Sequence, residues 1–143
     1  MIKIFTIGFT KKTAKQFFLN LKKAGVKCVI DARLNNTSQL AGFTKKEDLK
    51  FFLQEICNID YLHLPNLAPT KIILETYKNT KNWKLYEEQF INLMTSRQIE
   101  TLDPKIINNS CLLCSEETPE FCHRRLVAEY LYAKWEQVEI QHL

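Results

Sequence analysis

Apolar positions recur along this chain in two rhythms that take turns. "IKIFTIG" (2–8) is an apolar, β-branched run that predicts a strand closed at Gly8. "TAKQFFLNLKKAG" (13–25) switches to helical spacing. Ala14, Phe17, Phe18, Leu21 and Ala24 form one stripe, and Gly25 stands where a C-cap belongs. "VKCVIDAR" (26–33) predicts a second strand. "TKKEDLKFFLQEIC" (44–57) predicts a second helix, with Thr44 and Glu47 as a capping box and Leu49, Phe52, Leu53 and Ile56 as its stripe. "YLHLP" (61–65) predicts a third strand that Pro65 closes. Helical spacing returns over about 70–78 and 83–99, and "NSCLLC" (109–114) predicts a fourth strand. Thr118-Pro119 is the expected start of a last helix reaching about Trp135, because proline tolerates the first helical position and biases its predecessor to extended backbone. "QVEIQHL" (137–143) alternates like a closing strand.

Strands alternating with helices predict an α/β chain: a Rossmann-like, three-layer fold with a mainly parallel sheet of about five strands. A length of 143 residues suits one domain spanning the whole chain. With only three glycines and four prolines, no stretch reads as a linker, and no repeat is evident. Gly8 is followed by no second or third glycine at fingerprint spacing, which excludes a dinucleotide site of the usual kind.

A net charge of +4 is too small for the basic stripe of a duplex-DNA protein. It allows an anionic small molecule or a nucleic-acid component as partner. The start lacks the apolar core and cleavage site of a leader, and no apolar run approaches the ~20 residues that span a bilayer. Five cysteines, an odd number, suit a reducing compartment better than a disulfide framework, so a cytoplasmic location is expected. Oligomeric state is not specified by these features.

Chemistry-bearing residues gather at the carboxyl ends of the predicted strands. Thr6 and Gly8 end the first, Asp31 and Arg33 the second, His63 the third, and Cys114 and Glu116 the fourth. In a parallel sheet those ends share one edge, where ligands bind. Asp31 and Arg33, two apart, face one way, either as an acid with an anion clamp or as an ordinary ion pair. His63 faces opposite to Leu62 and Leu64, as an acid–base group or a hydrogen-bonded structural histidine. Cys28 and Cys57 read as small buried hydrophobes.

The densest stretch is "LLCSEETPEFCHRRLVAEYL" (112–131). Its CLLC is not a chelating pair, because residues three apart on a strand face opposite ways. Cys122 and His123 are adjacent and would diverge by about 100° on a helix. A four-ligand zinc site from Cys111, Cys114, Cys122 and His123 is therefore awkward. A metal held by Cys114, Cys122 or His123, with help from His63 or Asp31, is easier to build. The alternative is thiolate and anion chemistry at a helix N-terminus. There Cys114 or Cys122 is nucleophile, Glu116, His63, His123 or Asp31 moves protons, and Arg33, Arg124 and Gly8 form the anion site. Arg125, Glu117 and Glu120 read as solvated charges. No cofactor is required by the pattern, and zinc is the metal it would accept.

The same residues resemble the domain-of-unknown-function family 488. Its hallmark C-x-E-x5-C-H-R is matched by Cys114, Glu116, Cys122, His123 and Arg124. Its T-I-G is matched by Thr6, Ile7 and Gly8, its D-x-R by Asp31 and Arg33, and its H-L-P by His63, Leu64 and Pro65. Many members carry His where this chain has Phe9, and a proline with further arginines where this chain has "LNNTSQLAGF", so this version looks like a subgroup of its own. The resemblance implies the fold and the motif, not a reaction. Together these readings lead to an enzyme acting on a phosphate-bearing or nucleotide-related substrate. The alternatives are a nucleotide or nucleic-acid binding module using Phe43, Tyr77 and Trp83, a Cys/His metal hydrolase, and a Cys114/Cys122 redox protein.

Overall fold

A computed structural model describes residues 1–37 and 39–143, with residues 39–41 described by their backbone alone; of the "LNNTSQLAGF" stretch, Ser38 lies outside the described residues. The order is β1 (Ile2–Gly8), α1 (Ala14–Ala24), β2 (Cys28–Asp31), α2 (Lys46–Phe52), β3 (Asp60–His63), α3 (Lys71–Thr80), α4 (Trp83–Ser96), α5 (Pro104–Ile107), β4 (Ser110–Cys114), α6 (His123–Lys134) and β5 (Val138–His142). All five strands pair in parallel in the order β3-β2-β4-β1-β5.

Side-chain alternation divides the core into two layers. Phe5, Ile7, Val29, Cys111 and Leu113 face one way and meet Phe17, Phe18 and Leu21 of α1 and Leu49 of α2. Ile4, Ile30 and Leu112 face the other way and meet Ile73 of α3, Phe90 and Met94 of α4, and Leu126 and Val127 of α6. β4 is buried on both faces, as its unbroken SCLLC run suits, and lies between β2 and β1. The chain leaves β1 and β2 for the α1/α2 layer but leaves β4 for the α6 layer. The loops beyond β4 therefore part from their neighbours and open a crevice over the carboxyl end of the central strand.

Helix α1 behaves as its stripe predicts: Phe17, Phe18 and Leu21 are buried, and Gly25 caps the helix with φ 77°. Its start is a capping box of Thr13 and Gln16 that the stripe does not announce. The capping box expected of Thr44 and Glu47 does not form. α2 begins at Lys46, and Thr44 instead accepts from Arg33 through both its hydroxyl (3.3 Å) and its carbonyl (2.5 Å). A hydrogen bond to a buried charge is worth about 1.5–3 kcal/mol against ~1 for a cap, so the cap yields. Beyond Phe52 the helix widens into a π turn, Leu53–Cys57, ended by Asn58 in the left-handed region. Cys28 and Cys57 are half-buried rather than fully buried. Among the described residues no helix is long and apolar enough to cross a membrane.

Phe17 is fully buried against both Phe18 and Phe43. Phe17→Ala should cost about 3–5 kcal/mol in urea unfolding, with a lower midpoint and an unchanged m value. A loss below about 1 kcal/mol would show that this layer repacks freely.

Candidate functional site

The site is built on a buried arginine. Arg124, in the first turn of α6, is fully buried. Its Nη1 donates to the Glu116 carbonyl (2.7 Å) and to Cys114 Sγ (3.2 Å), and its Nη2 reaches the Glu117 carbonyl at 3.4 Å. Nε is buried without a partner, and no carboxylate pairs with the guanidinium among the described residues. Burial pulls its pKa down to about 10, which still leaves it charged near neutral pH. Among the described residues the sulfur of Cys114 is the one side-chain acceptor of this cation, a contact that would favour the thiolate once the sulfur is reduced.

Gly8 makes the arginine's place. It pairs with Cys114 across β1 and β4. A Cβ at position 8 would overlap the Glu116 carbonyl and come within 2.8 Å of Arg124 Nη1. Gly8 therefore serves by its absent side chain. Arg124 also explains why the last helix starts late. Its bonds to the carbonyls of Glu116 and Glu117 hold residues 115–122 in turns, so Thr118-Pro119 does not begin the helix. Cys122 becomes the N-cap in extended backbone (φ −139°), its N–H donating to the Pro119 carbonyl at 3.3 Å.

That late start brings the cysteines together. The sulfurs of Cys114 and Cys122 meet as a disulfide, with Cα atoms 7.4 Å apart. A ring nitrogen of His123 lies within 4.8 Å of both sulfurs. His123 Nε2 donates to the Ala32 carbonyl at 2.7 Å, which fixes the tautomer and leaves Nδ1 as the lone-pair nitrogen. Burial pushes the pKa of this imidazole down to about 4, against the Ala32 hydrogen bond and with the help of Arg124, so it is neutral at neutral pH. Cys111 faces the opposite layer, where burial pushes its thiol up and keeps it neutral.

The Asp31–Arg33 pair points inward. Arg33 Nε and Nη2 bind Asp31 Oδ1 and Oδ2 at 2.8 Å each, and both residues are buried. Tyr61 Oη donates to Asp31 Oδ2 (2.6 Å), with Asn36 at 3.4 Å. Burial pushes the Asp31 carboxyl up, but the hydrogen bonds and charge of Arg33, with Tyr61, more than offset this and hold it below the ordinary range. Phe9 lies against the Arg33 guanidinium at 5.6 Å. His63 Nε2 donates to the Arg33 carbonyl (2.9 Å), securing the same loop. Sequence reasoning missed Tyr61, Asn36 and Thr44 as partners, although Tyr61 shares a strand face with His63, as Asp31 does with Arg33.

Above these groups lies a cleft of about 290 Å³. Its polar lining includes Arg33, Asn35, Cys114, Glu116, Cys122 and His123, and its apolar lining includes Tyr77, Trp83, Tyr86 and Phe121. Trp83 and Tyr86 are stacked (4.7 Å between centroids), Tyr86 is parallel to Phe90 (6.1 Å), and Phe90 meets the His123 ring at 5.7 Å. Phe43, expected near the binding surface, packs instead in the core against Phe17 and Phe18. The cleft thus gathers Cys114, Glu116, Cys122, His123 and Arg33. Arg124 and Gly8 lie beneath it, and Asp31 and His63 brace its Arg33 loop.

Compared with known proteins, residues 13–131 match the family model described as Domain of unknown function DUF488. No curated protein and no solved structure matches the chain.

Two outcomes follow from this geometry. Asp31→Asn leaves Arg33 buried without its counter-charge and should cost about 3–5 kcal/mol. Because the folded carboxyl has the lower pKa, its contribution is present above the unfolded value of about 3.9 and disappears as pH falls through the folded value. Denaturation curves should show wild type losing stability on acidification below about pH 4 and the variant losing less. Gly8→Ala should cost about 3 kcal/mol or more, because backbone stands where the methyl would go. Gly25→Ala meets nothing within 4 Å and bears only the penalty of its positive φ, roughly 1 kcal/mol. Equal losses in the two variants would remove Gly8 from its proposed part in seating Arg124.

Proposed function

The chain belongs to the DUF488 family, and we propose that its cleft is the site of a metal-dependent hydrolase acting on a small, nucleotide-related substrate. The observation that carries this reading is the convergence of three ligand atoms, from Cys114, Cys122 and His123, within 4.8 Å at the cleft. Two thiolates and an imidazole suit a zinc-type ion and leave a fourth position for water or substrate. His123 donates its other N–H to a backbone carbonyl, the usual way such a ligand is oriented, and its neutral state leaves the Nδ1 lone pair available. Once Cys114 is reduced, the Arg124 donor 3.2 Å from its sulfur would stabilise a thiolate there by hydrogen bond and charge.

When bound, such an ion supplies Lewis acidity and an activated water. The chain's own residues do the rest. Glu116 lines the cleft and is the group placed to take and return a proton. The aromatic wall excludes water and positions the substrate. Arg33 gives its donors to Asp31 and Thr44, so it contributes to the shape of the cleft more than to its charge. A site that depends on two reduced cysteines also fits a cytoplasmic location.

The meeting of the two sulfurs favours a second reading, a reversible disulfide. Backbone spacing supports the ligand pair instead, since a Cα separation of 7.4 Å exceeds the roughly 4.4–6.8 Å that disulfides usually span. Metal analysis by mass spectrometry decides between them, on protein purified under reductant without a metal-affinity column. About one equivalent of zinc or iron is expected in wild type, with loss from Cys122→Ser and His123→Ala while circular dichroism stays unchanged. Wild type that holds no metal after incubation with zinc and dialysis, and whose Cys114 and Cys122 react with a thiol reagent only after reduction, would replace this reading by the redox one.

A further inference from the structure

We infer that the cleft recognises its substrate by an uncharged planar heteroaromatic ring of nucleobase size, and that a phosphate group adds nothing to binding. The inference rests on the cleft being the substrate site. It deepens that reading by naming what the walls can hold.

Charge is the first argument. The two arginines nearest the cleft are engaged inside the protein. Arg33 is forked onto Asp31 and bonded to Thr44, and Arg124 is fully buried against two carbonyls and a sulfur. Glu116 lines the same cleft, and its negative charge, felt by Tyr86 in the cleft wall, would disfavour a phosphate. A dianion entering here meets no guanidinium fork such as recognises phosphate elsewhere.

Shape is the second. About 290 Å³ lies at the small end of the roughly 300–1,000 Å³ of ligand pockets, room for one fused ring system and little more. Four aromatic side chains supply the apolar wall. Trp83 and Tyr86 stack on each other, while Tyr77 and Phe121 meet Trp83 edge-on at 5.5 Å each. Phe121 is 52% exposed and Leu74 is 39% exposed, both lining the cleft. A large ring left in water at a cleft mouth gains most from a flat ligand face, because stacking accepts any planar ring. Asn35 and Glu116 supply the donor and acceptors that a heterocyclic edge requires.

Trp83 makes the test direct, because it lines the cleft, whereas the other tryptophan, Trp135, donates to the Glu100 carbonyl elsewhere. Trp83 fluorescence is titrated in the full chain carrying Trp135→Phe, metal-loaded and metal-stripped. The ligands are free purine and pyrimidine bases, their nucleosides, the 5′-monophosphates and inorganic phosphate. The expected result is saturable quenching by one or more bases or nucleosides, with monophosphates binding no tighter and inorganic phosphate not competing. Affinity should be insensitive to salt between about 50 and 500 mM, as an uncharged contact requires. Phe121→Ala should weaken binding about tenfold or more, and Phe121→Tyr should restore it. Three results would overturn the inference: no saturation by any base or nucleoside up to about 10 mM with metal bound, tighter binding of monophosphates that salt abolishes, or unchanged affinity in Phe121→Ala. Ring binding by a protein that never holds metal would instead overturn the hydrolase reading alone.

Discussion

A charge buried without a counter-charge constrains everything at the upper edge of this sheet. Arg124 is fully enclosed, and an uncompensated guanidinium costs several kcal/mol to bury even after relaxation. The fold offsets that cost with two backbone carbonyls and one sulfur. Each of those acceptors must then sit where Arg124 needs it. The carbonyls of Glu116 and Glu117 bend the segment after β4, Gly8 gives up its side chain so that the bend can close, and Cys114 faces the cation. The arginine that looks from sequence like a hand held out to a substrate instead donates to the cysteine sulfur beside it.

The second arginine solves the same problem in the ordinary way. Arg33 is buried with a carboxylate in fork geometry, and Tyr61, Asn36 and Thr44 satisfy the remaining lone pairs and donors. The two arginines stand in functional contrast. The Asp31–Arg33 unit is internally neutral and fixes the loop that supplies Leu34 and Asn35. The Arg124 unit has no paired carboxylate among the described residues and rests on carbonyls and a sulfur. The asymmetry of the site, with a braced wall on the β2 side and a charged floor on the β4 side, follows from that difference.

Much of this was legible in the chain, and the rest was hidden for definite reasons. Apolar runs at 2–8 and 109–114 and the stripe at Phe17, Phe18 and Leu21 gave strands and helices close to those observed, because each is a local pattern set by burial. The facing of Cys111 away from Cys114 also followed from strand geometry alone. What failed were elements decided by distant partners. Thr44 reads as a helix cap, but Arg33, 11 positions earlier, donates to it instead. Thr118-Pro119 has the chemistry of a helix start, but Arg124 holds the preceding carbonyls in turns. The roles of Arg33 and Arg124 could not be read locally, since whether an arginine is spent inside or offered outside depends on carbonyls and carboxylates that only the folded chain brings near.

The aromatic wall ties the two halves of the site together. Trp83, Tyr86 and Phe90 lie along one side of α4 at spacings of three and four, so their rings form a column. Its inner end touches His123 and its outer end lines the cleft. The ring that touches the histidine is therefore joined through Tyr86 to Trp83 in the cleft wall. Tyr86, buried between them, has its hydroxyl held neutral by burial first, and also by the nearby Tyr77 and Glu116. Substitutions along this column should not act independently, because neighbours in one packed stack share their relaxation. The cleft wall and the cysteine–histidine cluster are thus two ends of one packed column, so a change at either end is felt at the other.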